Sequence, residues 1–428
     1  MSAAVWHTGD VFDVLAGIPD GSIDLVVTSP PFLALRSYLP PDHPDKDKEI
    51  GSEPNPAEFL RTLLALTREW RRVLAPHGSI AVELGDTYSG SGGAGGDYTD
   101  TGLRAGQEKF SGSATQHRRS AQRNRKMTVS NRRDRAEIPH SSGKNVPGWP
   151  MERSLCGIPT LYAWSLAYGR NLLDPADQID PWRVRNLIAW VRPNPPVGAL
   201  GDKVRPATSH VTAATADTTK CRRWFDLDAE RTPLGAPLLD WWEITPGGYS
   251  GAHYAVFPLE LPRRLINLMC PRQVCTECGQ PRRRITETVN ARGVGFAHWA
   301  DPGDQRANRS HSGVAERETI GWTDCGHNAW RNGIVLDPFA GSGTTLAAAA
   351  GLGRDAIGID LDARNLHLAR ERVGMFLTEA EGAQASIAAG VGAMFAGRIG
   401  ADLTALYRAQ AAVEKIRGFM APRAENDQ

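Results

Sequence analysis

Short apolar runs separated by turn residues open the chain. Val5-Trp6-His7 ends at Gly9-Asp10, and Asp20-Gly21 then turns into Ile23-Asp24-Leu25-Val26-Val27, a β-branched strand pattern. Thr28-Ser29-Pro30-Pro31-Phe32 follows at once, and two prolines cannot continue a central strand. This segment is predicted as a loop at the strand's carboxyl end, where open α/β sheets place their ligands. Asn55-Pro56-Ala57-Glu58 next offers an N-cap, a proline at the first helical position and a capping-box glutamate. Phe59, Leu63, Leu66, Trp70, Val73 and Leu74 recur with the helical period, Pro76-His77-Gly78 predicts the stop, and Ser79 to Leu84 reads as another strand.

The pattern lapses over 88–150, which is rich in Gly and Ser and then basic: Arg118 to Arg135 holds eight Lys/Arg against one acid, Asp134. It resumes with a helical pattern around Leu161 to Tyr168 and a strand at Leu187 to Val191. A second interruption covers about 270–332. The chain then delivers the strand Ile334 to Asp337, a Gly-rich loop, an alanine-rich helix and the strand Asp355 to Asp360. Strands alternating with helices predict an α/β fold. The resulting segments are 1–87, 88–150 as an insertion, 151–269, 270–332 as a second insertion, 333–378, and a helical tail over 379–428.

Composition narrows the class without naming it. The chain of 428 residues is 41% hydrophobic and 23% charged, as a soluble globular protein is. Its 49 basic and 48 acidic side chains nearly cancel, so whole-molecule charge predicts no polyanion partner. Met1 to Leu15 lacks the pattern of a signal peptide, and the Ala/Gly-rich stretch Ala385 to Ala396 is too short to span a bilayer. No membrane association is expected, and the cytosol is the expected location.

The loop Asp337-Pro338-Phe339-Ala340-Gly341-Ser342-Gly343-Thr344-Thr345 lies between a predicted strand and a predicted helix. Glycines there let the backbone approach a ligand, and the helix N-terminus offers free N–H groups. Asp360, 23 residues after Asp337, ends the next strand, at the spacing where an acid holds ribose hydroxyls in nucleotide-binding βαβ units. No lysine follows Gly343, so the phosphate-loop pattern is absent, and the dinucleotide fingerprint is only half met.

DPFAGSGTT resembles the cofactor motif of DNA amino-methyltransferases, and TSPPF resembles their catalytic motif. The catalytic motif comes first in the chain, an order that resembles the circularly permuted β class. LIAWVRPNPP, RPATSH at Arg205 to His210 and HYAVFPLELPRRLI at His253 to Ile266 match in sequence order, so the resemblance spans all but the two insertions. It implies a circularly permuted Rossmann-like fold dependent on S-adenosylmethionine, with inserted recognition and zinc-binding segments, acting on double-stranded DNA. It leaves a cognate restriction endonuclease open, with no physical complex implied. The cofactor residues are then Asp10, Asp337, Phe339, Gly341, Ser342, Gly343, Thr344 and Asp360. Permutation also makes Val5 to His7 the third strand of the cofactor sheet, since the C-terminal segment supplies only two. That places Asp10 beside the adenine amino group, the lesser alternative being that Asp10 simply caps a helix at Val11 to Leu15.

The resemblance further implies that Ser29 and the Pro30 carbonyl accept hydrogen bonds from a target amino group. Pro31 would help shape this loop, and Phe32 would stack on a base flipped out of the duplex. Serine at position 29 resembles the cytosine-N4 enzymes, whereas adenine-N6 enzymes more often carry Asp or Asn there. Attack at cytosine C5 would need a thiolate, usually in a Pro-Cys pair, and the chain has no such dipeptide. The rivals are an adenine-N6 enzyme, an RNA methyltransferase, and a catalytically silent DNA-binding protein on the same fold, against which both intact motifs argue. Cys275 and Cys278, with Cys325 and His327 further on, have the donor types expected of a structural zinc, the alternatives being unrelated buried thiols or, less favoured, a redox C-x-x-C. The basic run 118–135 is either a solvated loop or a path for phosphates. Trp224-Phe225 and Trp241-Trp242 read as core packing before target recognition.

Overall fold

The computed structural model describes residues 2–35, 38, 39, 42–89, 147–195, 202–217, 223–232, 235–246, 257–292 and 314–380. The basic run 118–135 and the expected helical tail from Gln384 lie outside the described residues. Among the described residues, a nine-stranded sheet runs in the order β13-β1-β12-β11-β2-β3-β5-β4-β6. Its strands are β1 (Ala4–Thr8), β2 (Ile23–Thr28), β3 (Leu74–Leu84), β4 (Arg183–Val191), β5 (Thr208–Thr215), β6 (Trp241–Glu243), β11 (Ile334–Asp337), β12 (Asp355–Asp360) and β13 (Leu377–Glu379). All neighbours pair in parallel except β5, which runs antiparallel to both β3 and β4.

Among the described residues, six helices cover the two faces. On one side α1 (Val11–Gly17), α2 (Pro56–Val73) and α3 (Ile158–Tyr168) share a core with Val26, Ile80, Ile357 and Ile359. On the other, α4 (Glu260–Met269), α5 (Thr344–Gly351) and α6 (Asn365–Val373) pack on Trp6, Leu25, Val27 and Val335. Adjacent residues of one strand thus enter different cores, because side chains alternate across the sheet.

The permutation is visible in the pairing. β1 lies parallel to β12, with Ala4 opposite Ala356 and Thr8 opposite Asp360, so the first strand completes the sheet of the last segment. The C-terminal segment nevertheless supplies three strands rather than two, since β13 adds to the outer side of β1. Only three residues long and at the edge, β13 leaves too little apolar pattern to read. Helix α2 starts as expected, with the Asn55 side chain accepting from Glu58 N at 3.0 Å. The capping box is half formed, because the Glu58 carboxylate pairs with Arg61 instead. The helix also ends at Val73, before Pro76-His77-Gly78, and those three residues already belong to β3.

The second interruption forms a small unit of its own: β7 (Gln273–Cys275) pairs with β10 (Trp330–Asn332), and β8 (Arg284–Arg292) pairs with β9 (Val314–Trp322). It meets the main sheet at the amino ends of β2 and β11. There the buried Asp24 receives Arg331 on both oxygens, His77 Nε2 at 2.8 Å and Ile334 N at 2.7 Å. Burial alone would raise the Asp24 pKa, but the Arg331 cation and the His77 hydrogen bond hold it well below the usual carboxylate range.

Candidate active site

At the opposite edge, the carboxyl ends of β2, β3, β11 and β12 open into a cavity of about 480 Å³. Ser29, Pro30, Pro31 and Phe32 line it from one side, and Phe339, Gly341, Ser342, Thr344 and Asp360 from the other, with Asp10 between them. Two loops more than 300 residues apart in sequence are brought together because β2 and β11 are neighbours. The Thr28 hydroxyl fastens them by donating to Asp337 Oδ1 at 2.7 Å.

The cofactor-type residues divide into two roles. Asp360 holds the loop, its oxygens accepting from Gly341 N at 2.8 Å, Asp362 N at 2.8 Å and Asn365 Nδ2 at 3.0 Å. Asp337 lies beneath the cavity and accepts from Phe339 N at 3.1 Å as well as from Thr28. Burial pushes both carboxyl groups up, each to about 6, since no cation offsets the lost hydration. Gly343 does not line the cavity either. It caps α5 with φ +74°, and a Cβ there would stand 3.0 Å from the Ala369 Cβ, so glycine is required where α5 meets α6. Asp10 caps α1, its carboxylate accepting from Phe12 N and Asp13 N, and it also lines the cavity.

Around the catalytic-type loop stand residues that the sequence reading missed. Ser29 Oγ donates to Glu83 Oε2 at 2.6 Å. Glu83 is buried at the end of β3, and burial raises its pKa despite the hydrogen bonds it receives from Ser209 and Ser29. The Phe32 ring lies against Gly85: a Cβ at that position would be 2.5 Å from the ring. Asp86 accepts from Gly157 N and Ile158 N and so caps α3 at the cavity rim. One signal was available, because β11 and β12 are apolar strands that each end in an acid, Asp337 and Asp360, and β3 carries one, Glu83, at its last position but one. Further wall comes from 35–50, including Leu39, Lys48 and Ile50, and from the intermediate stretches, through Trp190, Arg192 and Phe257.

Cys275, Cys278, Cys325 and His327 also converge, with ligand atoms all within 4.8 Å of one another. They sit in the small unit at the far edge of the sheet, and none of them lines the cavity. Trp224 is buried and donates from its indole to the Arg282 carbonyl at 2.7 Å, and Trp242 is buried too, whereas Trp241 is half exposed on the edge strand β6.

The chain is similar in sequence to known proteins. A family model described as DNA methylase, covering N6 and N4 methyltransferases, matches residues 23–274 and 326–371. The type II methyltransferase M.SmaI of Serratia marcescens is 25% identical over 371 residues, covering 85% of this chain and 89% of its own. M.XycI of Xanthomonas campestris pv. cyanopsidis is 26% identical over 370 residues, covering 85% and 86%. Among solved structures, the cytosine-N4-specific PvuII DNA methyltransferase aligns over 93% of this chain and 94% of its own, with 13% identity and a TM-score of 0.47. With more than half of its residues inside the family match, the chain belongs to the N6/N4 DNA methylases, as a β-class amino-methyltransferase.

Proposed function

We propose that this enzyme transfers a methyl group from S-adenosylmethionine to the exocyclic N4 of cytosine at a specific sequence in duplex DNA. The observation that carries the reading is the single cavity in which the Ser29 loop faces the Gly341 loop. When bound, the donor supplies an electrophilic methyl on a positively charged sulfur. Gly341, Ser342 and Thr344 would hold it from the loop, with Asp360 on the ribose and Asp10 on the adenine.

The chain's own residues then address a poor nucleophile, an amino nitrogen whose lone pair is delocalised into the ring. Because Ser29 gives its hydroxyl proton to Glu83, its lone pairs are left to accept from the amino group. A second acceptor, the Pro30 carbonyl, draws the nitrogen toward tetrahedral geometry, so rate comes from positioning and electrostatics. As the new N–C bond forms, the nitrogen must shed a proton. Ser29 can pass it to Glu83, whose raised pKa suits an acceptor. Phe32 would stack on the extruded base.

Methylated DNA digested to nucleosides and identified by mass spectrometry tests this. N4-methylcytosine is expected. N6-methyladenine would overturn the base assignment and leave the amino-group mechanism standing, whereas 5-methylcytosine would overturn both. For the far edge we propose structural zinc, because three thiols and an imidazole at this separation are the donor set that zinc takes. Protein purified without chelator should carry one zinc per chain by elemental analysis, and metal-free protein would refute it.

A further inference from the structure

One charged group on the cavity wall has no part in the chemistry above. Arg192 follows β4 and is half-buried, with its guanidinium carbon 5.1 Å from the centre of the Trp190 ring. Its Nη1 lies 3.5 Å from Ser209 Oγ, and its charge acts on Glu83, the acceptor of the Ser29 proton. Ser29, Glu83 and Arg192 thus line a wall otherwise framed by Trp190, Pro195 and Phe257, with the buried Ser209 linking Glu83 to Arg192.

We infer that Arg192 reads the target base, donating to N3 and O2 of the flipped cytosine while Ser29 holds its N4 amino group. This rests on the cytosine reading above. Cytosine presents amino group, N3 and O2 in a row along one edge, in the order donor, acceptor, acceptor. The wall presents an acceptor at Ser29 and, beyond Glu83, a planar fork that only donates. Adenine offers N1 beside its amino group and then a C–H, which would leave one buried N–H facing a group that cannot accept. Unpaired donors of this kind are how polar sites reject near-isosteric substrates. The Trp190 ring keeps the guanidinium plane in place, which a flexible lysine ammonium could not reproduce.

The test uses the full-length enzyme and duplexes that carry either cytosine or 2-thiocytosine at the mapped target. Sulfur at position 2 accepts hydrogen bonds weakly, so the analogue should lower the wild-type kcat/KM about tenfold, within the range for one bidentate base contact. Arg192→Ala should lower kcat/KM for cytosine about 10- to 100-fold and show no further loss with the analogue. Arg192→Lys, which keeps the charge beside Glu83, should remain nearly as insensitive to it. Both variants should bind S-adenosylmethionine as the wild type does, which reports an intact fold. An equal penalty for 2-thiocytosine in wild type and variants would overturn the assignment of Arg192 alone. N6-methyladenine as the wild-type product would instead overturn the cytosine reading, and the assignment with it.

Discussion

Asp24 and Asp337 stand on the neighbouring strands β2 and β11, at opposite edges of one sheet, and both are buried. Asp24 is fully compensated by Arg331, His77 and a backbone N–H, and its pKa is held down. Asp337 has neutral partners, the Thr345 and Thr28 hydroxyls and the Phe339 N–H, and its pKa rises to about 6. Equal residue type and equal burial therefore give opposite electrostatics. The compensated acid fastens the Cys/His unit to the sheet. The uncompensated one, with Asp360 and Glu83, marks the edge where a ligand is to be bound, in keeping with the clustering of perturbed groups at functional sites.

Removing the compensated acid should have the largest effect on stability. Asp24→Ala leaves the Arg331 charge buried without its partner and should destabilise the protein by about 3–5 kcal/mol. Urea unfolding measures this, and a loss below about 1 kcal/mol would mean that the two edges are not so different. Next comes Ser29→Ala, expected to raise the barrier by about 2–4 kcal/mol, the range for losing one polar contact in a transition state. Donor binding, followed by calorimetry, should survive this change because the proposed mechanism gives Ser29 to the target base rather than to the donor.

The smallest effect, and the sharpest comparison, is Asp337→Asn. Donor affinity should fall about tenfold (~1.4 kcal/mol) while stability at neutral pH does not fall. The sign follows from the raised pKa. Between about pH 4, where an unfolded aspartate titrates, and about pH 6, the native protein binds more protons at Asp337 and Asp360, so their contribution to stability is lost as pH rises. Asp24 acts in the opposite sense: its contribution is present above about pH 4 and lost as pH falls below that. Denaturant midpoints taken from pH 4 to 7 should show a shallower decline in Asp337→Asn than in the wild type.

Much of the fold was legible because its strands are short, β-branched and bounded by turns. The limits of β12 fall where the pattern put them, and the pairing of β1 beside β12 followed from permutation. The Ser29 and Gly341 loops were legible as well, since prolines and glycines break a periodic pattern visibly. Glu83 and Arg192 were not, because an acid or arginine at a strand's end gains meaning only when Ser29 or a cavity lies beside it. Asp24 was hidden for the same reason, its partners being 53 and 307 residues away. Nor could the pattern say that the four zinc-type ligands lie across the sheet from the cavity, because separation along a chain says nothing about which edge a loop leaves from.

The hydrogen bond between Thr28 and Asp337 joins residues 309 positions apart, and this has a consequence for biosynthesis. At a translation rate of 5–20 residues per second, β2 would leave the ribosome roughly 15–60 s before its partner β11 exists. β1 waits longer, since both of its neighbours, β12 and β13, come still later. Throughout that interval the nascent chain carries apolar strands with unpaired edges, the state most open to wrong pairing. The cavity cannot be completed until β11 and β12 emerge, so a chain released from a ribosome stalled before about residue 333 carries the Ser29 loop without the Gly341 loop that lines the cavity with it.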